Sequence, residues 1–222
     1  MVSFSHLKLP AIICMILALG LGAYLFIIFG NHRTQPKPNS PTTIKVLNKE
    51  KVKYPVDYLI VMVGDSMTET LGNSTELKQY LSDYYKSKSF EVLNYGFGAT
   101  SILSVMDRIT SETEHGRKFR PIEDIDYNLI LIESFGENPL SQYPLSEGLQ
   151  HQNEELDKIV SKLKETNPKG KIVFVATISP NKVIFAKNQV ALPPEKRGEW
   201  VTERIAYMKN HIKYANDHGY RS

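Results

Sequence analysis

The chain is poor in cysteine: Cys14 is the only one in 222 residues. A single thiol excludes an internal disulfide framework and a cysteine-based zinc site. No stretch is dominated by one sign of charge. Lys and Arg number 27 against 24 Asp and Glu, a net charge of +3, and the two signs are interspersed. That pattern leaves no basic footprint for nucleic acid. No His, Asp and Glu cluster has ligand spacing, so neither a metal nor any other cofactor is expected. With 41% hydrophobic and 23% charged residues, a wholly disordered or fibrous chain is excluded. The length suits one ordinary domain and an appendage.

The appendage is at the amino end. From Leu9 to Gly30 no side chain is charged. A helix of that length spans a hydrocarbon core of about 30 Å. A core helix would show a polar face, and a signal peptide would end in a small-x-small cleavage site; this run shows neither. Residues 1–30 are therefore expected to be an uncleaved, single-pass transmembrane anchor. Cys14 follows Ile13, not the small residue a lipoprotein site needs, and reads as an apolar anchor residue. Residues 31–50 carry Pro36, Pro38 and Pro41 among polar residues and read as an extended linker. Lys8 lies on one side of the run and Arg33 and Lys37 on the other, a count that slightly favours a domain on the inside.

Residues 51–222 alternate apolar runs with amphipathic segments. Strands are predicted over 57–63, 90–94, 127–133 and 171–177. Helices are predicted over 75–87, 102–114, 146–165 and 200–217, the last closed by Gly219. Continuous apolar strands separated by helices indicate a parallel sheet covered on both faces. The fold class is α/β: three layers, α/β/α, flavodoxin-like. Ligands in such sheets sit beyond the carboxyl ends of the strands.

Three of those strand ends carry chemistry. The first loop is Gly64-Asp65-Ser66-Met67-Thr68, the second begins Asn94-Tyr95-Gly96-Phe97-Gly98-Ala99-Thr100, and the third is Glu133-Ser134-Phe135-Gly136-Glu137-Asn138-Pro139. Each alone has a plain structural reading: a helix cap, turn glycines, an asparagine tying down a loop. Together they bring a hydroxyl, a backbone N–H and a side-chain amide to one sheet edge, the equipment for acyl transfer. An α/β-hydrolase elbow is excluded because Thr68 stands where its last glycine belongs. A dinucleotide site is excluded because Gly96-Phe97-Gly98 lacks the third glycine and follows the second strand.

In these blocks the chain resembles the SGNH (GDSL-like) hydrolase family, over about Tyr54 to Tyr220. The resemblance implies Ser66 as nucleophile and oxyanion N–H donor, Gly98 as a second oxyanion N–H and Asn138 as the donor amide. Asp65, Thr68, Asn94 and Gly96 support them, Gly96 being the less favoured choice for the oxyanion N–H. Pro139 stands where the family usually has Asp. The implied fold is a five-stranded parallel sheet of order 2-1-3-4-5.

The family's general base is the His of an Asp-x-x-His block, and this chain has none. His6, His32, His115, His151, His211 and His218 all read as surface residues. Tyr220-Arg221-Ser222 stop where a fifth strand is due, leaving an apolar edge of a kind normally covered. The expectation is a chain cut short at its carboxyl end. The function expected is a membrane-anchored serine esterase or deacylase acting on an acylated glycan or lipid outside the cytoplasm. The resemblance thus sets the domain on the opposite side from the charge count. The alternatives for this chain are a catalytically inactive SGNH-like binding domain, which the absence of the Asp and His from the chain as written would produce, or an O-acyltransferase. The loop from Asn181 to Gly198 is expected to border the pocket.

Overall fold

The apolar run after Asp57 forms strand β1, Tyr58–Gly64, buried from Leu59 onward. Three further strands follow: β2, Phe90–Gly96; β3, Leu129–Glu133; and β4, Lys171–Val175. All pair in parallel, in the order β2-β1-β3-β4. In this computed structural model the described residues are 50–187 and 190–222, within the second of two units, Lys49–Ser222. The expected anchor over 1–30 and all but the last residue of the linker lie outside them. Among the described residues, no helix is long and apolar enough to cross a membrane.

The order agrees with the expected 2-1-3-4 of the four strands read from sequence. No fifth strand joins this sheet among the described residues. Beside β4, however, Arg221 pairs in parallel with Val173, and the Phe174 N–H donates to the Arg221 carbonyl at 2.9 Å.

The helices depart from the periodicity in three places. A short helix α1, Ser66–Thr70, follows β1 directly. Helix α2 is Thr75–Tyr84. The helix expected over 102–114 is shorter: a 3-10 turn, Ile102–Ser104, leads into α3, Val105–Thr110. The chain then doubles back as a two-stranded ribbon, Thr113–Glu114 against Lys118–Phe119. Gly116, at φ +68°, lies in the turn between them, in a conformation that favours glycine. Helix α4 is Leu145–Thr166 and α5 is Pro194–Asp217. Helix α5 starts six residues before the expected Trp200 because Pro194 presets the φ angle of a first helical position, so the expected loop to Gly198 is helical from Pro194. Gly219, at φ +70°, closes α5 as expected.

The two faces of the sheet are covered unequally. Leu59, Val61 and Val63 of β1 and Ile130 and Ile132 of β3 pack against α3, α4 and α5 in the main core. Ile60, Met62 and Val92 face the other way, against Leu77 and Leu81 of α2. Each fully buried Leu or Ile contributes about 1.5–3 kcal/mol. Beside α2 runs an apolar groove of about 420 Å³, lined by Tyr58, Leu81, Tyr85, Phe90 and Leu131 among others.

Candidate active site

Strand register brings the three loops together. Gly64 pairs with Gly96 and Val63 with Ile132, so β1, β2 and β3 end level. Asp65 caps α1, its carboxylate accepting the Met67 N–H at 2.9 Å, as the capping preference of Asp requires. The cap leaves Ser66 as the first helical residue, half-buried. Thr68 is buried beneath it: a Cβ on Gly64 would collide with the Thr68 side chain. Helix α1 is thus pressed onto the end of β1, and glycine at 64 permits that approach.

The two glycines of the second loop do different work. The Gly96 N–H donates to Asn94 Oδ1 at 2.7 Å, and a side chain there would strike the backbone of Thr68 and Glu69. Asn94 is itself committed, donating to the carbonyls of Thr68 at 2.7 Å and Gly72 at 2.5 Å. Both residues hold α1 in place. Gly98 instead faces the serine: a Cβ built on it would lie 3.8 Å from Ser66 Cβ. Its N–H donates to Glu69 Oε2 at 2.8 Å.

Asn138, in the third loop, donates its side-chain amide to Asp65 Oδ2 at 3.0 Å. Ala99, at φ +57°, and Phe135, at φ +54°, follow Gly98 and Ser134 in left-handed backbone. Such a conformation costs a non-glycine residue about 1–3 kcal/mol. Two of the strained residues therefore sit in the loops that meet at Ser66.

Buried charge supports the edge. Arg108 of α3 is 1% exposed. It donates to the carbonyls of Gly64 at 2.7 Å and Tyr95 at 2.8 Å, and to the hydroxyls of Thr100 and Ser104. Burial lowers its pKa to about 10, Asp65 opposing the shift. Glu133, at the end of β3, is raised to about 7 by burial and then by the Asp65 charge. It accepts from Ser134 Oγ at 2.7 Å. Glu137 is raised in the same way and pairs with Arg204 of α5 at 3.4 Å. The Arg204 guanidinium also stands 4.9 Å over the Phe185 ring, which links the loop after β4 to the residue before Asn138.

Among the described histidines, none bonds the Ser66 hydroxyl. His115 pairs with Glu69, His151 lies between Glu147 and Glu154, and His218 bonds the Tyr214 carbonyl. His211 is not a surface residue. It is fully buried on α5, bonded to the Ile132 carbonyl at 2.9 Å and packed on Phe174, and burial lowers its pKa to about 4. No group of His, Cys, Asp and Glu among the described residues could hold a metal ion.

Glu69, His115, Arg108 and Glu133 are absent from the set of site residues read from sequence. Glu69 had a signal: three residues after Ser66, it falls on the same helical face. Arg108 had one too, standing among buried Val105 and Ile109 on α3. His115 had none, because the ribbon that carries it has no apolar period.

No protein-family model matches the chain, and no curated protein matches it. Solved structures do. A protein assigned as a GDSL-like lipase, from Parabacteroides merdae, superposes with a TM-score of 0.52 at 14% identity, over 77% of this chain and 78% of that one. A mutant of an acetyl-xylooligosaccharide esterase from Geobacillus stearothermophilus gives a TM-score of 0.50 at 14% identity, over 76% of each chain. A gut microbial diltiazem-metabolizing enzyme gives 0.48 at 17% identity, over 78% of this chain but 38% of that enzyme, so this chain spans well under half its length. The fold is that of the SGNH-type hydrolases: a parallel sheet with flanking helices.

Proposed function

We propose that the chain is a serine esterase or deacylase of the SGNH type. One observation carries the reading. Ser66 heads α1 with no hydrogen bond to its hydroxyl among the described residues, and the Gly98 loop passes beside it, a Cβ built on Gly98 lying 3.8 Å from Ser66 Cβ. In the reaction, Ser66 Oγ bonds to the ester carbonyl carbon and gives up its proton. The N–H groups of Ser66 and Gly98 and the amide of Asn138 stabilise the resulting oxyanion. Collapse breaks the bond to the alcohol oxygen, which takes up the proton lost by the serine and leaves as the neutral alcohol. Water then hydrolyses the acyl-enzyme and frees the carboxylic acid. No metal or other cofactor enters. The apolar run from Leu9 to Gly30 would tether the domain to a membrane, on the outer side, where an acylated glycan or lipid is the substrate. An acetyl-xylooligosaccharide esterase among the similar folds supports an acylated sugar.

A second reading has its own observation. No described histidine bonds Ser66, and a serine without a base is a weak nucleophile. The pocket would then bind an acylated ligand without cleaving it. A third, O-acyl transfer, uses the same acyl-enzyme with a sugar hydroxyl in place of water.

A serine-directed fluorophosphonate separates the first two readings. The esterase labels at Ser66 and the Ser66→Ala variant does not. An unlabelled parent chain that still binds an acetylated oligosaccharide leaves only the binding reading. Equal labelling of parent and variant removes Ser66 from the role.

A further inference from the structure

The Gly98 N–H is one of the donors that the esterase reading assigns to the oxyanion, and it is in use. Its acceptor is Glu69 Oε2, at 2.8 Å. A carboxylate oxygen reproduces the charge and the accepting geometry of the oxygen that an ester carbonyl becomes in the transition state. Ser66 and Glu69 lie one turn apart on α1, and a Cβ on Gly98 would stand 2.5 Å from Glu69 Oε2 and 3.8 Å from Ser66 Cβ. Glu69 therefore reaches the subsite beside the serine from within the serine's own helix.

A second contact holds it there. The other carboxylate oxygen, Glu69 Oε1, is 2.9 Å from His115 Nε2. The His115 ring is stacked on Phe97, centroids 4.6 Å apart and planes within 14°. Phe97 is the residue before Gly98, and the His115 N–H is tied to the Arg117 carbonyl at 2.9 Å. The clamp, carried on the ribbon, thus packs against the loop that carries the subsite. The Glu69 side chain is still 46% exposed. Rotating it outward buries nothing and meets water.

We propose that Glu69 is an internal oxyanion mimic: its carboxylate closes the acyl-oxygen subsite at Gly98, His115 holds it closed, and it must swing out before a carbonyl can enter. The proposal rests on the assignment of Ser66 and Gly98 above. It makes the pair Glu69–His115 a gate on the site and assigns it no part in the chemistry.

Phenylboronic acid tests the gate without needing turnover. Ser66 Oγ adds to the trigonal boron, a B–O bond forms, the serine proton passes to solvent, and the tetrahedral boronate places one oxygen in the oxyanion subsite. With the full chain, Glu69→Ala should bind about tenfold tighter than the parent, since the competing charge-assisted hydrogen bond is gone. Glu69→Gln should gain less, because its amide oxygen still accepts. His115→Asn should fall between parent and Glu69→Ala. In ligand-free protein the Gly98 amide proton should move upfield on Glu69→Ala. Unchanged or weaker boronate binding by Glu69→Ala, with dependence on Ser66 retained, overturns the gate and leaves the serine assignment standing. Binding that survives Ser66→Ala overturns the serine assignment, and the gate falls with it. A Gly98 resonance that does not move overturns the contact itself.

Discussion

Asn138 donates to Asp65 across 3.0 Å, joining loops 73 residues apart in the chain. Asp65 is fully buried, and its other oxygen caps α1. The residue before Ser66 therefore orients the amide of the third loop. An asparagine amide has two N–H donors, so Asn138 can hold Asp65 with one and offer the other to a ligand. Asp65→Ala and Asn138→Ala should each lower stability, and a double-mutant cycle in urea should give a coupling of about 1 kcal/mol. Strictly additive losses would mean that the bond contributes nothing.

The two glycines of the second loop should respond differently to alanine. At Gly96 the new Cβ meets the backbone of Thr68 and Glu69, which cannot yield without moving α1. Gly96→Ala should cost about 1–3 kcal/mol and slow fluorophosphonate labelling of Ser66. At Gly98 the new Cβ meets the mobile end of Glu69. Gly98→Ala should leave the thermal midpoint nearly unchanged. Equal losses at both positions would show that the contacts of Gly96 do not set its role.

Arg108 ties the ends of β1 and β2 together through the carbonyls of Gly64 and Tyr95. Arg108→Met keeps the stem and removes the donors, stripping one from each of two buried carbonyls, Gly64 being left with the Phe97 N–H alone. The expected loss is about 3 kcal/mol in urea unfolding. Arg108→Lys should recover little of it, because a single ammonium cannot reproduce the fork. Full recovery by lysine would show that charge alone matters there.

His211 and Glu133 should tilt the pH dependence of stability in opposite senses. The His211 pKa falls to about 4 on folding. The unfolded state then binds more protons, and stability is lost as pH drops from about 6.5 toward 4. The Glu133 pKa rises to about 7. The folded state then binds more protons, and stability is lost as pH climbs from about 4.5 toward 7. Each effect is worth roughly 3 kcal/mol at full extent, and in the overlap they oppose one another. In urea titrations from pH 4 to 7.5, His211→Gln should make stability fall more steeply with rising pH, and Glu133→Gln should make it rise. Parallel profiles for parent and variants would remove both groups from the account.

The alternation of strand and helix was legible because it is local: apolar runs such as Leu59–Val63 and the heptad-like spacing of Leu156, Ile159 and Leu163 declare themselves without partners. So did the convergence of the three loops, once the strands were taken as parallel. Of helix α1 only the cap was legible, in Asp65-Ser66; its extent was not, since five residues show no period. The ribbon after α3 was missed because the helical pattern ran into it without a break until Gly116. Burial of His211 could not be read from its neighbours in sequence; it follows from an acceptor on β3 and a ring on β4. The contact between Glu69 and Gly98 spans 29 residues and exists only once α1 is pressed onto β1 and β2. Long-range polar contacts of this kind carry the detail of the site, and no local pattern announces them.

The lopsided cover of the sheet has a consequence in time as well as in space. Helix α2 contains no fully buried residue, whereas α4 and α5 each bury several, among them Leu156, Ile159, Tyr207 and Tyr214. Local opening follows the apolar contact that must be broken. Amide protons of α2 should therefore exchange with solvent long before those of α4, through an excursion that peels one helix from the sheet and leaves the rest folded. Loss of α2 bares Ile60 and Met62 of β1 while the opposite layer stands, so the molecule would breathe through one side only.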